Sequence, residues 1–387
     1  MRTLAWLLVA LPVVVGTYAY VLYPLGLVLL SKRRRYDIQR GKAVSADVSV
    51  VIPAYNEEME IAAAIDAVLG QDYPTERLQI LILSDASTDN TDRIVEGYAG
   101  RGVELLRMPQ RSGKTKLENL ACAHIRGEIV VNADASVRLH PAAIRSLVAA
   151  MADPSVGVAS SRDVSISTLD TSANIVEAGY VGFEMRVRRL ETQTGGIVGA
   201  SGSCYAIRAA LHRIPVRDDL SRDFSAALTA QLHGNRAVSV DDAICFVPRT
   251  ASLPMEYRRK VRTISRGINT LYNRRELLDP TRYGLFAWKL LSHKVCRWAV
   301  PLLALPAVVG LMLLASFHPA ARFVLLGVFL IGGFALAGAL WPSGRPMPRI
   351  LSLTAFAVSA NVATVHAVWR VIAQRNDQVW EPTRRSA

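Results

Sequence analysis

Apolar residues along this chain follow two different patterns, one at its two ends and another through its middle. Leu4–Leu30 is a long apolar run without a charge. It is long enough to cross roughly 30 Å of hydrocarbon. It is also too long for a signal-peptide core, and no small-residue cleavage pattern follows it. The basic stop Ser31-Lys32-Arg33-Arg34-Arg35 comes next, which by the positive-inside rule lies in the cytoplasm with Met1 across the membrane. Apolar character returns after about residue 295. Val295–Phe317 and Arg322–Trp341 each read as spans, joined by the turn His318-Pro319-Ala320-Ala321. Ile350–Ile372 is apolar but carries Ser352, Thr354, Asn361, Thr364 and His366. It is either a third C-terminal span or an interfacial or re-entrant helix. The charge rule favours the interfacial reading, because three spans would carry the basic pair Arg384-Arg385 outside. Within Thr281–Trp298, Leu285, Phe286, Trp288, Leu290, Leu291 and Val295 mix with Lys289, His293, Lys294 and Arg297. That is the pattern of an amphipathic helix in the headgroup region, or of a helix packed on the soluble domain.

The middle of the chain alternates short β-rich runs with helical ones. Val48–Ile52, Leu78–Leu83, Val103–Leu106, Glu128–Val131 and Val156–Ser160 read as strands. Glu57–Leu69, Asp89–Tyr98, Lys114–Ile125 and Pro141–Met151 read as helices. Near-continuous Val, Ile and Leu strands separated by helices imply an α/β fold, its parallel sheet covered on both faces. The organisation expected is a membrane helix over 1–31, a soluble domain over 45–275, an amphipathic helix over 281–298, a membrane region over 295–372 and a basic tail over 373–387.

Composition agrees with lipid contact: 51% of the 387 residues are hydrophobic, and the formal net charge is +13. Such a charge suits nucleic acid, a membrane surface or a phosphate-bearing substrate. Here Lys and Arg clump beside the apolar runs, which favours a membrane surface. Nucleic-acid binding would need basic and aromatic residues interleaved on one soluble face, and none is found. Cys122, Cys204, Cys245 and Cys296 show no zinc-site spacing; they read as reduced, mostly buried thiols.

In open α/β sheets, ligands bind beyond the carboxyl ends of the strands. Those ends are polar here: Pro53-Ala54-Tyr55-Asn56-Glu57-Glu58, Ser84-Asp85-Ala86-Ser87-Thr88-Asp89 and Asn132-Ala133-Asp134-Ala135-Ser136. Tyr55 and Asp85 have the chemistry to hold a base and its ring NH. Asp134 has that to reach a ribose or a metal on a diphosphate. Ser, Asp and Asn also cap helices, and for Asp89 capping is the better reading. Gly113-Lys114-Thr115 is not a P-loop, because Met108 stands where its first glycine belongs.

Together Val50–Glu58, Ser84–Asp89, Gly113-Lys114 and Asp134-Ala135-Ser136 resemble, in letters, order and spacing, the family-2 glycosyltransferases with a GT-A fold. The resemblance covers roughly residues 45–275, and the flanking apolar segments look like those of the membrane-bound synthase branch. It implies an inverting transferase that moves a hexosyl or N-acetylhexosaminyl group from a nucleotide-sugar, a UDP-sugar in the first instance, to a lipid-linked or polysaccharide acceptor. It further implies a catalytic domain on the cytoplasmic side of the plasma (inner) membrane. Tyr55 and Asp85 would lie at the base, Glu57 beside the ribose and Lys114 at the diphosphate, with Pro53 among the donor-binding residues. Asp134 opens what looks like the DxD motif, whose third position is Ser136. Asp134 and Ser136 would hold Mg2+ or Mn2+, the diphosphate supplying further oxygens. Gly199–Arg208 looks like the Gly-rich strand near the acceptor, placing Gly202 and Ser203 there. The family's base is an acid at the start of the next helix. Asp223 fits that register, ahead of Asp219 and Asp218, with Arg222 where the usual first acid stands. Arg259 and Arg262 lie in the basic segment that follows and would meet the donor. The Gln-x-x-Arg-Trp pattern of processive members is missing, since Thr263 follows Arg262. The competing class is a catalytically inactive, membrane-anchored nucleotide-sugar-binding scaffold, which Ser136 and Arg222 would suit.

Overall fold

A computed structural model describes residues 1–41, 46–166, 172–248, 253–342, 345 and 347–374. The basic pair at 384–385 and nearly all of the expected tail lie outside them. Helix α1 (Arg2–Arg33) is π-helical at Tyr18–Leu22. The α/β part follows as β1 (Val48–Ala54), α2 (Ile61–Leu69), β2 (Leu78–Ser84), α3 (Thr91–Glu96), β3 (Val103–Arg107), α4 (Lys114–Ala121), β4 (Ile129–Ala133), β5 (Arg138–Leu139) and α5 (Ala143–Met151). It continues with β6 (Val156–Ile166), α6 (Ser172–Gln193), β7 (Cys204–Arg208), α7 (Ala209–His212), α8 (Arg222–Leu232), β8 (Arg236–Pro248) and α9 (Leu253–Asn273). Helices α10 (Pro280–Leu302), α11 (Ala304–Ala315), α12 (Pro319–Ala339) and α13 (Arg349–Ile372) complete the described chain.

The eight strands form one sheet in the order β3-β2-β1-β4-β7-β6-β8-β5. β3, β2, β1 and β4 run parallel, as their apolar runs predict. β7 is antiparallel to both β4 and β6, and β5 to β8. The sheet is therefore mixed and mostly parallel, with helices on both faces, as the GT-A resemblance implies. Strand β8 is absent from the sequence reading because Asp241 and Asp242 interrupt its apolar run. β1 is buried along its whole length. Ile61, Ile65, Ile144 and Leu147 cover one sheet face, while Leu117, Ala121, Ala227 and Ala230 cover the other. Helix α2 begins at Ile61 rather than Glu57. The Glu57 and Glu58 amides are engaged instead by Thr91 Oγ1 (2.8 Å) and Asp89 Oδ2 (3.2 Å).

By length and composition, α1, α12 and α13 can each cross a membrane, and the pair α10 and α11, bent by 47°, makes a fourth candidate. Arg349–Ile372, for which interfacial and spanning readings were open, is thus one continuous helix of spanning length. The amphipathic segment of α10 is placed differently from the expected headgroup-facing stripe. Lys289, His293 and Arg297 are buried. His293 Nδ1 lies 2.6 Å from Glu191 Oε1 and its Nε2 2.7 Å from Glu184 Oε1, while Arg297 donates to Glu184 Oε2 at 2.7 Å. Burial works to raise the Glu184 carboxyl, but His293 and Arg297 outweigh it and hold it below the usual range. The physical reason for the inward turn is that charges leave water when they are paired and hydrogen-bonded. Tyr23 of α1 also donates to Glu191, and Trp288 Nε1 donates to Tyr18 Oη at 2.9 Å. The N-terminal helix is thereby tied to α6 and α10. The contact joins π-helical Tyr18–Leu22 to π-helical Leu291–Cys296, through Tyr18 Oη and Ser292 Oγ 2.7 Å apart.

Candidate active site

The sheet order puts the carboxyl ends of β2, β1 and β4 side by side. Because β7 runs the other way, its first residues meet the end of β4. Cys204 pairs with Ala133, and the Asp134 amide donates to Ser203 O at 3.0 Å. Gly202 and Ser203 therefore stand next to Asp134, although 68 positions separate Asp134 from Gly202 in the chain. Beyond this edge is an open cavity of about 300 Å³. The expected site residues Glu57, Lys114, Asp134, Ser136, Gly202, Ser203, Asp223, Arg259 and Arg262 all line it.

Pro53, Tyr55 and Asp85 do not. Pro53 is inside β1. The Tyr55 ring lies under the Arg111 guanidinium, 3.9 Å from its centroid. Asp85 is 1% exposed, and its two carboxylate oxygens accept from the amides of Ser112 (2.7 Å) and Gly113 (2.9 Å). Asp85 thus holds the turn that launches α4, in which Gly113 adopts a left-handed φ of 87°. Asp89 accepts from the Thr91 amide at 2.9 Å, the local capping contact expected of it.

On the α4 side, Lys114 Nζ donates to Asp134 Oδ1 at 2.5 Å. Burial works to lower the Lys114 pKa, but the carboxylates of Asp134 and Glu118 raise it above the ordinary lysine value. Lys114 is a cation held ready at the cavity wall. Across from it, Asp223 sits in the first turn of α8 and accepts from Ser221 Oγ. A Cβ at Gly202 would stand 3.1 Å from Asp223 Oδ2. Gly202→Ala therefore pushes the carboxylate aside by a few tenths of an ångström. We expect turnover to fall about tenfold to 100-fold while nucleotide affinity is unchanged; steady-state kinetics beside nucleotide titration checks this.

Reading the sequence missed several further lining groups, three of which are Glu118, Arg222 and Asp163. Glu118 and Arg222 are buried with Arg222 Nε 3.6 Å from Glu118 Oε2, and Arg222 also donates to His212 O at 2.8 Å. Arg222, read as a replaced acid, is thus one half of a buried ion pair. Burial raises the Glu118 carboxyl above its usual range. Burial, together with Arg222, keeps His212 well below the ordinary histidine value, so it is neutral at pH 7. The third is Asp163 of β6. The signal for the Glu118–Arg222 pair was the coincidence of an unexpected Arg in α8 with an acid one helical turn after Lys114. The last wall is α9, which contributes Arg259, Arg262, Thr263 and Arg266 at helical spacing. The opposite face of α9 packs on α13, with Tyr257 Oη 2.8 Å from His366 Nδ1 and Lys260 over the Phe356 ring.

A Mg2+-type cation is held by one or two carboxylates together with substrate phosphates and water. Asp134 and Ser136, an acid and a hydroxyl on one cavity wall, fit that share of the coordination. Among the described residues no group of three or more His, Cys, Asp or Glu forms an all-protein cage.

The mostly parallel α/β sheet, with an acid-and-lysine edge facing a second acid, is of the GT-A type. Residues 49–214 match the family described as Glycosyl transferase family 2. An N-acetylglucosaminyltransferase of Rhizobium sp. (strain N33) is 26% identical over 174 residues, covering 43% of this chain and 38% of that protein. A hyaluronan synthase of Streptococcus pyogenes is 27% identical over 201 residues, covering 49% and 46%. The match thus spans less than half the length of either relative. Among solved structures, the mannosyltransferase of Pyrobaculum calidifontis in complex with GDP-Man and Mn2+ superposes with a TM-score of 0.72 at 21% identity, covering 95% of this chain and all of that one. That likeness establishes the fold.

Proposed function

We propose that the protein is a membrane-embedded, inverting glycosyltransferase that moves a hexosyl or N-acetylhexosaminyl group from a nucleotide-sugar to a lipid-linked or polysaccharide acceptor. The observation that carries this is the meeting of Lys114 and Asp134 with Asp223 across one cavity. A donor diphosphate is drawn to Lys114 and to the Arg259 and Arg262 wall. Tyr55, with Arg111 stacked on it, offers a flat edge for the base, and Glu57 lies toward the ribose. Asp85 acts through the Gly113 turn. Asp134 and Ser136 would hold Mg2+ or Mn2+, whose charge stabilises the departing diphosphate. Gly202 and Ser203 give the acceptor a close backbone approach. Asp223 takes the proton from an acceptor hydroxyl as that oxygen attacks the anomeric carbon. The nucleoside diphosphate leaves from the opposite face, so configuration inverts. The basic stop after α1 supports a cytoplasmic catalytic domain at the plasma (inner) membrane.

The test is nucleotide release from a panel of UDP-, GDP- and dTDP-sugars by the full chain in lipid nanodiscs, with and without Mg2+ or Mn2+. Metal-dependent release from one donor is expected. Binding without release from any donor, acceptor lipids and glycans included, favours the inactive scaffold instead.

A further inference from the structure

Asp163 lines the cavity, yet the mechanism above does not use it. It lies on β6 just past a break in strand pairing, where the register with β8 jumps from Ser160↔Ser239 to Arg162↔Ile244. Such irregularities re-aim side chains and are frequent beside active sites. Burial raises the Asp163 carboxyl above its usual range, against the pull of Arg188 and of the hydroxyls of Ser201, Ser161 and Ser203. Ser201 Oγ donates to Oδ2 at 2.6 Å and Ser161 Oγ to Oδ1 at 3.0 Å.

These contacts grip one segment. The Ser203 amide donates to Ser201 Oγ at 3.1 Å, so a chain of donors runs from Ser203 through Ser201 to Asp163. Arg188, 4% exposed, donates to Gly199 O at 2.6 Å and holds the other end. The gripped turn touches both acids of the site. Ser203 O receives the Asp134 amide, and Gly202 lies against the Asp223 carboxylate. A polar chain in a low-dielectric setting is stronger than its links taken singly.

We propose that Asp163 is a positioning residue for sugar transfer: through Ser201 it fixes the Gly202–Ser203 turn between donor acid Asp134 and base Asp223, and so sets where the acceptor hydroxyl sits. The inference rests on the transferase reading for its catalytic half. Its structural half stands on the hydrogen bonds alone.

The experiment compares the full chain in nanodiscs with Asp163→Asn and with Ser201→Ala, which breaks the same link while keeping the carboxylate. Two things are measured. One is amide hydrogen exchange at Asp134 and Ser203. The other is kcat for transfer beside Kd for the nucleoside diphosphate. Expected are exchange faster by about tenfold or more at both amides, kcat lower by about 100-fold, and Kd within about threefold. Unchanged exchange and kcat in both variants overturn the proposal. So does a Kd that weakens in step with kcat, since that marks general loss of the site. If Asp163→Asn does not fold, Ser201→Ala decides alone. Wild-type protein that cleaves no donor overturns the transferase reading and the catalytic half with it; the exchange arm still decides whether Asp163 holds the turn.

Discussion

Asp223→Asn lowers transfer by about 10²–10⁴-fold, the usual worth of a general base, and leaves nucleotide affinity unchanged. Asparagine has the same shape as aspartate and keeps an oxygen for the Ser221 hydroxyl that Asp223 accepts. The Gly202 backbone on its other side is likewise undisturbed. What is lost is the ability to take a proton, because a side-chain amide is not a base near neutral pH. In the proposed reading the donor is held by other groups, namely Lys114, Asp134 and the α9 arginines; Asp223 adds only a through-space pull on Lys114 and Arg266. The rate is read as nucleotide release with acceptor present, and affinity by calorimetry with the nucleoside diphosphate. An undiminished rate would assign the proton to another acid. Asp219 is the next candidate by sequence, but its carboxylate is bound by Arg217 at 3.0 Å and does not line the cavity.

Arg222→Met destabilises the protein by about 3–5 kcal/mol, the range for removing one partner of a buried ion pair. The Glu118 side chain is 1% exposed and that of Arg222 5%. Without the guanidinium, Glu118 is left with Lys114, already engaged by Asp134, and with Arg266 of α9. The His212 carbonyl loses its 2.8 Å donor as well. The loss depends on pH in a definite direction. Burial already raises the Glu118 carboxyl, and Arg222 opposes that rise, so the variant raises it further. A carboxyl with a raised folded-state pKa contributes its stability below the unfolded value and loses it as pH rises through the folded value. The deficit of Arg222→Met is therefore largest at neutral and alkaline pH and shrinks toward acid. The double variant Glu118→Leu/Arg222→Met recovers much of the loss, because a buried pair is often replaceable by apolar side chains. Thermal unfolding across pH in one detergent reads all three. A single variant as stable as wild type would show that the pair carries no net stabilisation.

Much of the fold was legible because its causes are local. A Val, Ile and Leu run such as Val48–Ile52 can only be buried on both faces, and the helix-rich stretch after it covers it. Polar residues after each run, at Asn56, Asp85 and Asp134, mark the sheet edge where ligands bind. Residues with non-local partners were not legible in the same way. Nothing local in Gly199–Arg208 states that β7 runs antiparallel to β4, yet that reversal is what sets Ser203 beside Asp134. Asp85 has the letters of a ligand-binding acid, and nothing local shows that its oxygens also accept from backbone amides 27 and 28 residues away. Asp163 carries no motif at all; its place follows from a register break and three serines on two segments.

The chain by itself determined its apolar spans, its α/β alternation and the residue types available for sugar-phosphate chemistry, because hydropathy, periodicity and side-chain charge are properties of neighbouring residues. Tertiary structure decided which acids face one cavity, which are locked in buried pairs and which way α10 turns its charges. Those outcomes depend on partners that chain order leaves distant. An ionised group's environment is set by whatever the fold brings within a few ångströms of it.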